Sequence, residues 1–273
     1  VVYDRGSLYD RPSKNSFSGA TPKRYENYLK YIEWSSKTHG TERRSAVAGA
    51  ADEIRMIHSS ESYAPFSVRT VASNGNVWDG KEDRSSISRM PSTEELLEIG
   101  KGKGCVAENI LSIAHHFRYG EFDWFTGGDC QYIRRDQFDY LDIETPIAEV
   151  MGKVDGMKAG HHSTKGTNSS ELLDVLKPDF VIAGTWKDIH PNHATAKRFF
   201  KASPDIKFYA TNLTDGAKTI LSENGVDWTR FAGTQGHVVV KVAPGGDEYR
   251  ILVLDDSNQE YRIVQMSQMY RSR

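Results

Sequence analysis

From Phe122 to Ala210 the chain alternates short apolar runs with helical stretches, and this alternation restricts the fold more than anything else in the sequence. The runs Phe122–Phe125, Val154–Ala159, Phe180–Ala183 and Lys207–Ala210 are too short for helices and rich in Val, Ile and Phe. Between them Pro146–Met151, Ser169–Leu176 and Ala194–Lys201 carry helical spacing. Further strands, Gly236–Val242, Tyr249–Leu254 and Tyr261–Val264, follow without intervening helices. Strands alternating with helices and then succeeded by antiparallel strands predict an α/β layered sheet.

In an α/β sheet the chemistry lies at strand ends, and three successive ends here are loaded. The first run leads into Thr126-Gly127-Gly128-Asp129, where the glycines permit a sharp turn that aims the carboxylate out of the sheet. The second leads into Gly160-His161-His162-Ser163-Thr164-Lys165, and the third into Thr185-Trp186-Lys187-Asp188-Ile189-His190-Pro191-Asn192-His193. Together they supply one carboxylate and four imidazoles, ligand types suited to a borderline divalent cation such as zinc. His190 and His193 read equally well as capping or surface residues. His115 and His116 lie within a strand, one expected to face the core and the other solvent, and His39, His58 and His237 have no metal-like neighbours.

The remainder of the chain is less specific. With 273 residues, 38% hydrophobic and 26% charged, it can bury a sizeable core as one large domain or two small ones. A formal net charge of −2 gives no global case for binding nucleic acid or a membrane surface, and no apolar run nears the roughly 18–20 residues that span a bilayer. Cys105 and Cys130 are too few for a disulfide framework and lack the spacing of a thiolate zinc site. No secretory signal pattern is visible, and the compartment is left open. The opening Val1-Val2-Tyr3-Asp4-Arg5-Gly6 reads as a strand running into a turn, as though the chain began inside a fold, so an upstream segment is expected.

Ser7–Ala20 reads as loop, and Thr21-Pro22 starts a helix whose Tyr25, Tyr28, Leu29 and Ile32 recur at helical spacing to about Lys37, a stripe suited to core packing. Short strands are expected at Glu53–Ile57 and Ser67–Ala72, the latter closed by the turn Ser73-Asn74-Gly75-Asn76. Ser92 and Glu95 form a capping-box signature for a helix to Ile99. The glycine- and lysine-rich loop Gly100–Cys105 lacks a P-loop ending, and with a strand expected after it, it reads as a basic loop beside the site. Ile110–Phe117 and Phe122–Phe125, joined by Arg118-Tyr119-Gly120-Glu121, read as a hairpin.

Taken in order, Glu108-Asn109-Ile110-Leu111-Ser112, Thr126-Gly127-Gly128-Asp129, the strand into His161-His162-Ser163, Leu172–Pro178 and His190-Pro191-Asn192-His193 resemble the second half of a metallo-β-lactamase-fold hydrolase. The pattern is most similar to the hydrolase domain attached to bacterial DNA-uptake (competence) channel proteins. It covers about Cys105 to Val242, with weaker support from Val68–Val77. The resemblance implies a four-layer αβ/βα sandwich, here one partial domain over residues 1–273 with an insertion-like region at about 7–104 and the C-terminal half at about 105–264. It further implies two zinc ions, with Asp129 bridging and His161 a ligand of the second. His162 is either the alternative ligand or a substrate-orienting residue, and His190 and His193 line the substrate side. Asn109 falls where other members of the superfamily place a further histidine ligand. Two departures stand out: Ser163-Thr164 replaces the usual Gly-Ser, and the H-x-H-x-D-H motif that holds most of the metal is absent from the chain. Asp4 cannot replace it.

The implied activity is metal-dependent hydrolysis of a phosphodiester or related ester, on a small-molecule or nucleic-acid substrate, with the main metal motif expected upstream of Val1 and that upstream segment as a partner. The alternative is a catalytically inactive binding or interaction module that keeps the sheet.

Overall fold

The structure is a computed structural model and describes residues 1–6, 22–63, 65–100, 106–133 and 138–273. The stretches 7–20 and 101–105, for which the sequence predicts loops, lie outside the described residues. Chain order runs β1 (Val2–Asp4), α1 (Pro22–His39), β2 (Arg43–Ser45), β3 (Phe66–Ser73), β4 (Asn76–Trp78), β5 (Ser86–Ser88), α2 (Thr93–Gly100), β6 (Ala114–Tyr119) and β7 (Phe122–Thr126). It continues with α3 (Glu144–Val150), β8 (Gly156–Lys158), α4 (Ser170–Leu176), β9 (Phe180–Ala183), α5 (His193–Ala202), β10 (Lys207–Ala210) and α6 (Asp215–Glu223). Four strands end it: β11 (His237–Val242), β12 (Glu248–Leu254), β13 (Ile263–Met266) and β14 (Tyr270–Arg271).

These elements form an eight-stranded mixed sheet in the order β10-β9-β8-β7-β6-β3-β4-β5 and an antiparallel sheet of β11-β12-β13 with β14 also pairing β12. The strands β7, β8, β9 and β10 run parallel, because a helix crosses over between each pair, whereas β6–β7 is a hairpin. The α/β class expected from the alternation is what forms. One core packs the helices on the large sheet through Ile147, Leu173, Phe199, Met157, Val181 and Phe208, all essentially inaccessible. A second joins the two sheets: Tyr249, Ile251 and Val253 alternate inward along β12 onto Phe122, Phe180 and Tyr209. Each such side chain contributes roughly 1.5–3 kcal/mol when fully buried.

Local chemistry fixes the helix starts. In α2 the box closes as the sequence predicts, Ser92 N–H donating to Glu95 Oε2 (2.8 Å) and Glu95 N–H to Ser92 Oγ (3.2 Å). Ser169, Asn192 and Thr214 cap α4, α5 and α6. In α1, Ile32 is buried and Tyr25, Tyr28 and Leu29 half-buried on one side, in line with the packing stripe, while Tyr31 and Trp34 are exposed.

Four local expectations are corrected. Glu53–Ile57 is not a strand; its first residue instead ties a loop to β3, Glu53 Oε1 accepting from Val47 N–H and Glu53 Oε2 from Thr70 Oγ1. Glu108–Leu111 is a turn of 3-10 helix, so the strand begins only at Ala114 and a short helix, not a strand, follows the basic loop. His115 and His116 are both half-buried rather than one in the core and one in solvent. Helix α6 and strand β14 were not foreseen, the helix because its apolar residues are diluted by Asp215, Gly216, Lys218 and Thr219.

Candidate functional site

The parallel register delivers the strand-end residues side by side. Thr126 pairs with Lys158, and Lys158 with Ile182. Asp129, His161 and Thr185 therefore each lie three residues past mutually paired positions on β7, β8 and β9. Gly128, at φ +58, makes the turn after β7, and a Cβ there would press on Ile113 O and Ser112 Cβ at 3.3 Å. Its carbonyl accepts from His161 N–H (3.2 Å) and from Lys158 Nζ (3.0 Å), which stitches the Asp129 turn to the histidine turn. Asp129 N–H donates to Ser112 Oγ at 3.3 Å.

The histidine turn is held in an unfavourable backbone shape. His161, His162 and Ser163 all take left-handed conformations, φ 43, 56 and 60, a run that L-residues disfavour by roughly 1–2 kcal/mol each. Asn168 clamps its start: Oδ1 accepts from Gly160 N–H (2.8 Å) and Nδ2 donates to Gly160 O (3.2 Å), with all these groups buried. Asn168 is in turn fixed by Glu144, whose two carboxylate oxygens accept from Asn168 N–H (2.7 Å) and Ser169 N–H (2.6 Å). Burial pushes the Glu144 carboxyl up to about 7, and the two N–H donors oppose this. At the far end, Asn192 N–H donates to Ser163 O at 2.8 Å.

Within this frame the rings form a connected cluster. His161 and His162 meet edge to face at 5.8 Å, His162 stacks on His190 at 5.4 Å and 22°, and Trp186 sets its edge against both, 4.2 Å from His162 and 4.9 Å from His190. His162 Nδ1 lies 2.8 Å from Gly184 O; a carbonyl only accepts, so Nδ1 donates and Nε2 is the ring nitrogen left without this contact. His161 Nδ1 accepts from the side-chain amide nitrogens of Asn109 (Nδ2, 3.1 Å) and Gln131 (Nε2, 3.0 Å). With Nδ1 accepting, the neutral ring carries its proton on Nε2, so ligation through Nε2 would require both amides to turn their oxygens to Nδ1.

Burial holds the His161 imidazole below its ordinary pKa, with His162 and Lys158 adding to the effect and the Asp129 carboxylate opposing it. Burial, followed by His162, Lys187 and His161, likewise lowers His190, which is 4% exposed and whose Nδ1 has no hydrogen-bond partner. Both rings are thus neutral near pH 7. Lys158 is lowered by burial, against the pull of Asp129 and Cys130.

The structure therefore gathers Asp129, His161, His162 and His190 at neighbouring strand ends. His193 opens α5, half-buried, three residues past His190. His116 is engaged elsewhere, its Nε2 2.7 Å from Asp123 Oδ1 on the hairpin, and Asp4 accepts from Arg43, Tyr28 and Gly6 away from this site. Sequence reasoning missed Gln131, Lys158, Trp186, Glu144 and Asn168. Gln131 and Lys158 lie within three residues of a flagged position, which is the one local signal they offer.

Whether these residues suit a metal follows from the donor set. Among the described residues no group of three or more His, Cys, Asp and Glu side chains is placed to hold an ion. Asp129 and His161 supply two donors, where a catalytic zinc takes three protein ligands, so the described residues alone do not fit a zinc centre.

No family model and no curated protein matches the chain. Among solved structures it is similar to the CmlA beta-hydroxylase E377D mutant, with 14% identity and a TM-score of 0.28 over 72% of this chain and 33% of that one. The chain thus spans about a third of that protein's length, and a superposition this loose adds nothing to the geometry above. No helix among the described residues is long and apolar enough to cross a membrane.

Proposed function

We propose that the strand-end cluster is part of the centre of a metal-dependent hydrolase of the metallo-β-lactamase kind, acting on a phosphodiester or related ester. The observation that supports this most is the register: a carboxylate and an imidazole, Asp129 and His161, stand at equal offsets past the ends of adjacent parallel strands, with two further imidazoles in the same cluster. The four-layer sandwich, the choice of zinc and the closer likeness to competence-channel hydrolase domains belong to this proposal and rest on the sequence resemblance. In this reading Asp129 and His161 are donors that this chain contributes, and the remaining ligands come from polypeptide outside the described residues.

The chain's own residues have definable tasks. His162, fixed by its Nδ1–H to Gly184 O, presents Nε2 as a proton acceptor. His190, neutral and stacked on it, keeps that ring in place, and His193 stands near enough in sequence to meet a substrate at the start of α5. A second reading, a binding module without catalysis, is favoured by the absence of a three-donor group among the described residues.

Elemental analysis of the full-length natural protein and of residues 1–273, alongside hydrolysis of bis(p-nitrophenyl) phosphate, separates the two. The hydrolase reading expects zinc and turnover in the full-length protein and little of either in residues 1–273. A full-length protein without bound metal or turnover overturns it in favour of the binding module.

A further inference from the structure

At the opposite ends of the same strands lies a cleft of about 630 Å³, within the roughly 300–1,000 Å³ of small-ligand sites. Lys153, Lys177, Lys207 and Arg271 line it, and among the described residues none of the four has a carboxylate within ion-pair distance. The one acid pair there is satisfied internally, Arg273 Nη2 meeting Asp179 Oδ1 at 3.0 Å, which leaves Asp205 to face four unpaired cations. In a chain whose formal net charge is −2, this is a concentrated positive field, and a concavity focuses it.

The cations are placed by the strand register. Gly156 pairs with Phe180, so Lys153 and Lys177 each lie three residues before paired positions on neighbouring strands, and Lys207 opens the next strand, itself paired with Phe180. Adjacent strands are about 4.8 Å apart, so Lys153 and Lys177 are carried by neighbouring backbones, with Asp179 two residues past Lys177 in the same lining. One wall is aromatic: Tyr270 is half-buried with its ring 5.5 Å from that of Tyr249.

We propose that this cleft binds a nucleoside polyphosphate, its phosphates among Lys153, Lys177, Lys207 and Arg271 and its base against Tyr270. The cavity volume suits one nucleotide, and a ligand of several phosphates is what four unpaired cations around one cleft recognise. This site is separate from the histidine cluster and does not depend on what that cluster does.

Isothermal titration calorimetry of the protein with ADP, inorganic tripolyphosphate and a ten-residue oligothymidylate tests it. ADP should bind one to one and more tightly than tripolyphosphate. The Lys177→Gln/Lys207→Gln double variant should weaken ADP binding about tenfold, each exposed charge contributing a few-fold. Tyr270→Ala should erase the preference for ADP over tripolyphosphate. His161→Ala, at the other end of the strands, should leave ADP affinity in place. All four changes except Tyr270→Ala are at exposed or strand-end sites, and circular dichroism verifies the fold of each. No ADP binding, ADP binding unchanged in the double variant, tripolyphosphate binding as tight as ADP, or loss of ADP binding in His161→Ala each overturns the proposal. Binding of the oligonucleotide alone overturns it as well and assigns the cleft to single-stranded nucleic acid.

Discussion

Replacing Asn168 with glycine tests whether a side chain eight residues away holds the histidine turn. The substitution keeps the left-handed backbone of Asn168 (φ 55) accessible but removes both hydrogen bonds to Gly160 and the one to Thr167 Oγ1. Gly160 N–H and C=O then lose their side-chain partners in a buried setting, at roughly 1–3 kcal/mol each. A water admitted into the vacated space recovers part of this, so the expected loss is about 3 kcal/mol. Asn168→Ala should lose about 1 kcal/mol more, because alanine resists positive φ where glycine does not. For a chain of this size each kcal/mol lowers Tm by about 2–4 °C, so the glycine variant should melt about 6–12 °C lower and still fold. Urea unfolding followed by tryptophan fluorescence gives the stabilities, and amide hydrogen exchange at Gly160 and His161 reports the turn itself. A glycine variant within 0.5 kcal/mol of the parent with unchanged protection at Gly160 would refute the clamp, and an alanine variant more stable than the glycine one would refute the backbone argument.

Three further outcomes are expected. Under the proposed hydrolase reading, His161→Ala in the full-length protein should lower bound metal as well as turnover, whereas His193→Ala should lower turnover with metal retained; metal stoichiometry reversed between the two would exchange their roles. The Glu144 carboxyl, at about 7 when folded against 4.5 as the reference value, keeps its proton longer in the folded state, so its contribution to stability falls as pH rises from about 4.5 to about 7, by about 3 kcal/mol in all. That falling component should be missing from Glu144→Gln in urea titrations across the same range, and identical pH profiles for the two proteins would contradict it. Gly156→Ala should destabilise by about 1–3 kcal/mol, since the new methyl would sit 2.2 Å from the Phe180 ring between the sheets, and an unchanged urea midpoint would show that the ring yields freely.

The strand ends were legible because each apolar run is short, bounded and followed by glycine or polar residues, so β9 and β10 fall where the alternation places them. The Asn74-Gly75 turn and the Ser92–Glu95 box were legible for a different reason: turn and cap chemistry act within four residues. What holds the site was not legible on the same grounds. Glu144 reads as an ordinary acid in the first turn of a helix, and only the packing of α3 beside α4 shows that its carboxylate is buried and accepts two backbone N–H groups from the residues that lead into α4. Asn168 reads as a loop residue, and its bonds to Gly160 cross from one loop to another. The left-handed run at His161, His162 and Ser163 has only a weak sequence signature, since glycine and asparagine are the usual marks of such conformations and neither occurs there, although histidine is enriched in them. The Glu53–Ile57 strand was misread because a short mixed run is equally compatible with a loop tied by its acids.

One property of the sheet accounts for both of its ends. The pairing of Gly156 with Phe180, and of Thr126 with Lys158, sets β7, β8 and β9 level with one another rather than staggered. Residues at equal offsets beyond the strands then become neighbours, which brings Asp129 beside His161 at one end and Lys153 beside Lys177 at the other. A one-residue slip would move every side chain of the slipped strand to the opposite face. Phe180, packed between the sheets against Tyr249, and Val181, buried under the helices, prohibit that slip because neither face of β9 tolerates exchange with the other. The core therefore fixes the register, and the register determines which charges meet at each end.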